Sequence, residues 1–377
     1  MSDENSSDEK SQKTIEENWI MRANEPTLKS IASKLGITHT TVSNVYNNPA
    51  KVSEALRHKI LAYAASVNYF GPNPTARSLK TGSCGAIGII FNDQLSYAFT
   101  DSHDVAFLHG VSAVCEAGGT NIVLIPLATK APNRLKSITA IVDGYILNAP
   151  YKNNPATQRA LAGGLPTVVV DFDAPSHASV LTNDLKVMIE VSQHVLSLGH
   201  KNVGIITFPH HERGHELFEL GREISPDNYV VSQRLLGCRR AFKSGKIKLS
   251  KVLICEAPNN ADGGKEAVDR IFAKNPNVTA FICFSDRLAY GAMSRCRELG
   301  LKIPQHVSVT GFNDLPPMDR EAGLPRLTTV KQNAFEKGRK AAEALLHRGG
   351  ARGLRVNIDA QFVLGDSTGK CERRRVT

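Results

Sequence analysis

The spacing of hydrophobic positions changes character three times along the chain. Residues 1–25 have no period; they are charged and serine-rich and read as a disordered tail. From Pro26 a helical period takes over. Leu28, Ile31, Ala32 and Leu35 fall at i, i+3, i+4 and i+7, one face of an amphipathic helix that Thr27 can cap and Gly36 can end. Thr38 can then cap a short helix over His39–Asn47, with Val42 and Val45 inward and Ile37 and Val42 at hydrophobic-staple spacing. Ser53 can cap a third helix with Leu56, Ile60, Leu61, Ala64 and Val67 inward. Two short helices joined by a tight glycine-containing turn above a third make a helix-turn-helix arrangement. The outer face of the second helix carries His39, Thr40, Thr41, Ser43, Asn44 and Asn47, short hydrogen-bonding groups instead of the Glu/Lys mixture of a merely soluble face.

Tyr69-Phe70-Gly71-Pro72 breaks this pattern. Asn73 suits an N-cap, Pro74 the first helical position and Gly82 a stop, so residues 73–80 read as a short helix standing between domains. A helix of that length is marginal in water without a packing partner. An ordinary linker is the competing reading. Beyond Gly85, short apolar runs alternate with helical stretches. The runs are Ala86–Phe91, Asn121–Pro126, Gly144–Leu147, Thr167–Asp171, Val203–Ile206, Val252–Cys255, Ala280–Phe284 and Val307–Gly311; Val105–Ala117 and Asp184–Leu198 are helical. The alternation predicts parallel sheets with helices on both faces, and this number of strands predicts two lobes.

From Pro26 to about Thr368 the chain resembles the lactose-repressor/galactose-repressor (LacI/GalR) family. The densest stretch is Leu28–Gly82, where Ile31-Ala32, Leu35-Gly36, Thr41-Val42-Ser43, Asn47, Val52-Ser53, Arg57, Ile60, Tyr69, Pro72-Asn73 and Ala76-Arg77-Ser78-Leu79 follow the family's order. Later landmarks are Leu198-Gly199-His200, Arg234-Leu235-Leu236-Gly237, the run from Asp286 to Ala292, the run from Val309 to Asp314, and Leu327-Thr328-Thr329-Val330-Lys331-Gln332. The resemblance implies an all-α helix-turn-helix domain of lambda-repressor type over 26–72 and a hinge helix over 73–82. It implies an α/β periplasmic-binding-protein-like core of two parallel-sheet lobes over 83–368, and leaves 369–377 as a basic tail. The chain is expected to cross between lobes three times, with the first lobe near 83–183 plus roughly 317–350 and the second near 184–316. A homodimer without the family's tetramerisation tail is expected. Departures cluster near the expected pocket: Ser285-Asp286, Asn313-Asp314, and roughly 20 extra residues at about His210–Tyr229.

Charge sharpens the first domain. The whole chain carries +10, yet residues 1–25 hold seven acids against three bases, whereas 26–82 hold Lys29, Lys34, Lys51, Arg57, Lys59, Arg77 and Lys80 against Glu54 alone. So dense a basic block is the footprint of a nucleic-acid module, the competing reading being a solvated basic face. No apolar run approaches a membrane span and no apolar signal core opens the chain, so a cytoplasmic protein is expected. Seven cysteines without a C-x-x-C pair read as reduced thiols.

In a helix-turn-helix the second helix enters the major groove with its N-terminal end at the base edges, which makes His39, Thr40 and Asn44 the base readers. Thr27, Lys29, Thr38, Thr41, Ser43, Asn47, Lys51, Ser53 and Arg57 are expected to hold phosphates or register. By resemblance, Asn73, Ala76 and Leu79 belong to a hinge helix in the minor groove, with Leu79 wedged between base pairs. Strand ends facing the cleft offer Tyr97, Phe99, Asp101, Asp171, Arg234, Asp286 and Asn313 to a small effector of sugar or nucleoside class; Asp286 could instead cap the helix that starts there. The function implied is a repressor with a near-palindromic DNA operator, no membrane partner and no cofactor. The alternatives are an activator or co-repressor-dependent regulator, or a solute-binding transport protein of the same core fold. An enzyme is disfavoured because no Ser/His/Asp set or phosphate loop stands at informative spacing. His210-His211 and His215 tempt a metal reading but lack carboxylate or cysteine partners at known spacing.

Overall fold

A computed structural model describes residues 26–72, 78, 82–91, 95–126, 141–211, 214–347 and 349–371. Residues 1–25, the expected hinge residues Asn73, Ala76 and Leu79, the side chain of Tyr97 and residues 372–377 lie outside the described residues. The chain divides into two compact units, Met1–Cys84 and Gly85–Thr377.

The first unit contains α1 (Leu28–Leu35), α2 (His39–Asn47) and α3 (Glu54–Ser66). Thr27 caps α1, its side chain accepting from the Ser30 N–H, and Gly36 ends it in the left-handed region at φ 68°, where a side chain would be strained. Thr38 caps α2 by accepting from the Thr41 N–H. Ser53 stands at the N-cap of α3 but its side chain makes no capping bond. Ile31, Ala32, Val42, Val45, Ile60 and Ala64 form the buried centre. Leu61, expected inside, is exposed: the face through Leu56, Ile60, Ala64 and Val67 takes in Tyr63 three residues after Ile60, and Leu61 sits 100° round from Ile60.

The second unit runs β1 (Ala86–Phe91), α4 (Leu95–Ala98), α5 (Ser102–Gly118), β2 (Asn121–Pro126), β3 (Tyr145–Asn148), α6 (Pro155–Ala162), β4 (Thr167–Val170), β5 (Ala178–Thr182), α7 (Asp184–Ser197), β6 (Val203–Thr207), β7 (Leu217–Glu219), α8 (Tyr229–Ser244), β8 (Leu253–Glu256), α9 (Ala261–Lys274), β9 (Ala280–Cys283), α10 (Asp286–Glu298), β10 (Ser308–Thr310), β11 (Thr329–Lys331), α11 (Ala334–Leu346), β12 (Arg355–Ile358) and β13 (Gln361–Val363). One sheet has the order β12-β5-β4-β3-β1-β2, parallel throughout, with Ile89 opposite Leu124 and Ile146 opposite Val168. The other has the order β10-β9-β6-β8-β7, parallel except for β7. Strands buried on both faces explain the unbroken apolar runs AIGIIF and TVVV.

The lobe boundaries differ from those expected at the third crossing. Leu324 and Leu327 pack in the core of the second lobe, not the first, and β12 extends the first lobe to Ile358. The chain then returns through β13, which pairs antiparallel with β11. Packing of α11 on α5 requires two glycines. A Cβ on Gly110 would lie 1.9 Å from the Phe335 carbonyl oxygen, and one on Gly338 2.1 Å from that of Phe107.

Candidate nucleic-acid and effector sites

On α2 the polar residues sort by what their side chains already bond. Thr38 and Thr41 join hydroxyl to hydroxyl at 2.8 Å, and the Asn47 amide donates to the Ser43 carbonyl and hydroxyl at 3.1 Å. Thr27 is used as a cap. Among the described residues, the side chains of His39, Thr40 and Asn44 make no hydrogen bond within this unit. Thr40 and Asn44 are one turn apart and share a helix face. Lys29, Lys51 and Ser53 are exposed and Arg57 is half-buried. At the far end of the unit Ser78 is helical, and its carbonyl accepts from the Gly82 N–H at 2.8 Å.

Between the two lobes of the second unit lies a cavity of about 500 Å³, within the range of small-molecule sites. Asp101, Asp171, Arg234 and Asn313 line it. Asp171 and Asn313 follow β4 and β10 as expected of strand ends, whereas Asp101 caps α5 and Arg234 stands within α8. Phe99 does not; it follows α4 on the surface and is 59% exposed. Asp286 does not either. Ser285 is the cap of α10, accepting from the Leu288 N–H, while the fully buried Asp286 carboxylate accepts from the Leu315 N–H at 2.6 Å and the Thr329 hydroxyl at 2.6 Å. It ties α10 to the loop after β10, and burial pushes its carboxyl up to about 6.

Further polar residues in the lining, none of them expected from the strand ends, are His103, Asp104, Asn148, Tyr151, Asn228, Asn259, Asn260, Ser285 and Gln332. Asp101, Asn228, Asn260 and Ser285 are the N-caps of α5, α8, α9 and α10. A polar cap directly after a strand or loop and before a helix was therefore the readable signal, since parallel sheets aim those helix starts at one cleft. His103 Nε2 is buried without a hydrogen-bond partner, the kind of orphaned group that a ligand or water satisfies. Ala149, Asp171 and Asn313 in this lining have φ of 46°, 50° and 123°. Left-handed backbone at non-glycine positions costs about 1–3 kcal/mol each and collects at functional sites.

Two buried ion pairs brace the cavity. Arg234 donates through Nε to Asp184 at 2.7 Å, through Nη1 to the Phe284 carbonyl, and lies 3.4 Å over the centre of the Phe312 ring. Its Nη2 is the nitrogen left for a ligand. Burial holds the Asp184 carboxyl above its ordinary value, with Arg234 opposing. For Asp171 burial also pushes upward, but the Lys337 ammonium at 2.6 Å prevails and holds it below the ordinary value.

The extra segment before Arg234 joins the lobes. Its β7 adds an antiparallel edge to the second sheet, and its far end meets the first lobe. The Asn153 N–H donates to the Asp227 carboxylate at 2.8 Å, the Lys152 N–H to the Asp227 carbonyl at 3.1 Å, and the Tyr151 hydroxyl to the Pro209 carbonyl at 3.3 Å. His210 is not poised for a metal: its Nδ1 faces the buried Glu256 carboxylate, which also accepts from the His210 and Glu216 N–H groups. Among the described residues no group of three or more His, Cys, Asp or Glu could hold a metal ion. Asp227→Ala should speed amide exchange at Asn153 about tenfold, the worth of one hydrogen bond to a charged acceptor, while Asp227→Asn, which keeps an acceptor, should not. Hydrogen exchange with mass spectrometry reads both.

The bacterial regulatory proteins, lacI family, model matches residues 27–73, and the periplasmic binding protein-like domain model matches 192–368. An HTH-type transcriptional regulator of Mycolicibacterium smegmatis is 33% identical over 360 residues, 91% of this chain and 96% of the relative. The chain belongs to the LacI family. It is a DNA-binding transcriptional regulator with a helix-turn-helix region and a periplasmic-binding-like core of two sheet lobes. A LacI family protein from Corynebacterium glutamicum superposes with TM-score 0.65 and 28% identity, covering 92% of this chain and 98% of its own. The lac repressor dimer bound to operator and the anti-inducer ONPF superposes with TM-score 0.73, covering 92% and 100%, and at 21% identity shows the fold alone. For a LacI family regulator, DNA binding, a small-molecule effector and dimerisation are the general pattern. Among the described residues no helix is long and apolar enough to cross a membrane.

Proposed function

We propose that this LacI family regulator is a repressor. It acts as a homodimer on a near-palindromic operator and takes a sugar- or nucleoside-class effector into the cavity between the lobes. The observation that carries this reading is the origin of the lining. Asp101, Asn148 and Asp171 come from the first lobe, Arg234, Asn260 and Ser285 from the second, so a ligand touching both has a different affinity for each arrangement of the lobes. Such differential binding is what shifts an equilibrium between states. Asn and Asp groups among Phe91, Phe208 and Phe284 suit a polyhydroxylated ring with apolar faces. On the DNA side, His39, Thr40 and Asn44 read bases, and Thr27, Lys29, Thr38, Thr41, Ser43, Asn47, Lys51, Ser53 and Arg57 hold phosphates or register.

Operator selection from random duplexes, followed by fluorescence anisotropy in the presence of sugars, nucleosides and phosphorylated metabolites, tests the reading. One class should release the selected DNA. Equal affinity for selected and random DNA would overturn sequence-specific recognition, and tighter binding with every active compound would replace effector-driven release by the co-repressor alternative. The hinge gives a sharper check. Leu79→Ala should weaken operator binding and reduce bending while leaving random-DNA binding nearly unchanged. Non-specific affinity comes from phosphate contacts that the substitution keeps, whereas alanine is too short to fill an opened base step. Amide exchange across residues 73–80 should slow on operator and not on random DNA; equal protection on both would contradict a helix that folds with recognition.

A further inference from the structure

Lys337 is fully buried on α11, yet neither a strand end nor a cap signal points to it. Its ammonium donates to the Asp171 carboxylate at 2.6 Å and to Gln332 Oε1 at 2.9 Å. The single Thr182 hydroxyl proton stands between Asp171 Oδ1 at 3.1 Å and Gln332 Oε1 at 3.4 Å. Gln332 then donates through Nε2 to Asn313 Oδ1. Asp171, Gln332 and Asn313 all line the cavity, and Lys337 stands behind them.

An ammonium has three donors and no acceptor. With Lys337 on one side, Gln332 must turn its oxygen toward the lysine and its N–H groups toward Asn313. Asn313 must then meet Gln332 with its oxygen, which leaves its Nδ2 donors for the cavity. Polarity passes through two amides from one buried charge. We propose that Lys337 is a positioning residue that fixes the hydrogen-bonding polarity of the effector site. Asn313 presents donors only, so the effector meets it with an oxygen acceptor. The same ammonium holds Asp171 ionised as the acceptor across the floor, so the effector presents a hydroxyl donor there. This inference rests on the cavity being the effector site.

The test reads polarity in the full, ligand-free chain. Side-chain amides are labelled with [15N]Gln or [15N]Asn, and the two signals are assigned by their loss in Gln332→Glu and Asn313→Asp. In the wild type the Gln332 Nε2 protons should exchange slowly and the Asn313 Nδ2 protons quickly. Lys337→Met should erase that contrast. Because it also strands the buried Asp171 carboxylate and endangers the fold, Asp171→Asn/Lys337→Met is measured beside it; it removes both charges without restoring a donor-only neighbour, and the contrast should again be lost. Slow Asn313 and fast Gln332 protons in the wild type, or an unchanged contrast in the folded double variant, would overturn the proposal. Whether the cavity takes an effector at all is judged separately by the operator-release screen.

Discussion

Arg234→Ala should abolish the effector response and lower the stability of the second unit by about 3–5 kcal/mol, the cost of stranding one partner of a buried ion pair. Asp184 is 2% exposed and loses its guanidinium partner at 2.7 Å. The cation stacked on Phe312 goes with it, and the Phe284 carbonyl loses its donor. The deficit should depend on pH, with a definite sign. The Asp184 carboxyl already lies above its ordinary value because of burial, so its contribution to stability is full below that ordinary value and is lost as pH rises through the folded one. Without Arg234 the folded value rises further. The deficit is therefore largest at neutral pH and shrinks as pH falls below about 4, where Asp184 becomes protonated in the folded and the unfolded chain alike. Urea titrations at several pH values measure it. Asp184→Asn/Arg234→Met should recover most of the stability, since replacing a whole buried pair is far cheaper than halving it, but not the effector response. Unchanged calorimetric affinity for the releasing compound in that double variant would remove Arg234 from the site.

Asn44→Ala should weaken binding to the preferred operator by about 1–3 kcal/mol and broaden base choice at one position of each half-site. Among the described residues the Asn44 side chain makes no hydrogen bond within the unit, and it follows Thr40 by one turn, near the helix start that enters the groove in this motif. A base-reading amide contributes only where its partner base is present. Affinity for random DNA should hardly change, since the proposed phosphate contacts, Lys29 and Lys51 among them, are left in place. Equal losses on both DNAs would make Asn44 a positioning contact. Asn47 offers the internal comparison: its amide already donates to Ser43, so Asn47→Ala should cost affinity without relaxing sequence choice.

Local rules read the first unit well. Thr27, Gly36 and Thr38 act within four residues of themselves, through caps and one left-handed turn. The inner face of α3 was read less well, because a 3.6-residue period leaves neighbouring positions such as Leu61 and Tyr63 ambiguous until their partners are in place. In the second unit the long apolar runs were legible as strands, since double-sided burial makes them nearly all hydrophobic. β5, β7, β11, β12 and β13 were not. β7 and β11–β13 are short and partly exposed, β12 reading Arg-Val-Asn-Ile at a sheet edge, and such strands are made by the neighbour that pairs with them.

The amino-acid order alone carried the two-unit plan, the helix-turn-helix and the candidacy of Asp101, Asp171, Arg234 and Asn313, because caps, periods and motif spacings are short-range properties. Only the folded chain decided what stands around those four. Asp286 turned inward to Leu315 and Thr329, Asp184 paired with Arg234 across 50 residues, and Lys337 reached Asp171 across 166. A charge of this kind looks like surface in a sequence, since lysine on an amphipathic helix normally faces water. It is buried here because the Asp171 carboxylate at the end of β4 converges on it with the amide oxygen of Gln332, five residues before it, a meeting that depends on the order of strands in the sheet and on where the chain crosses between lobes.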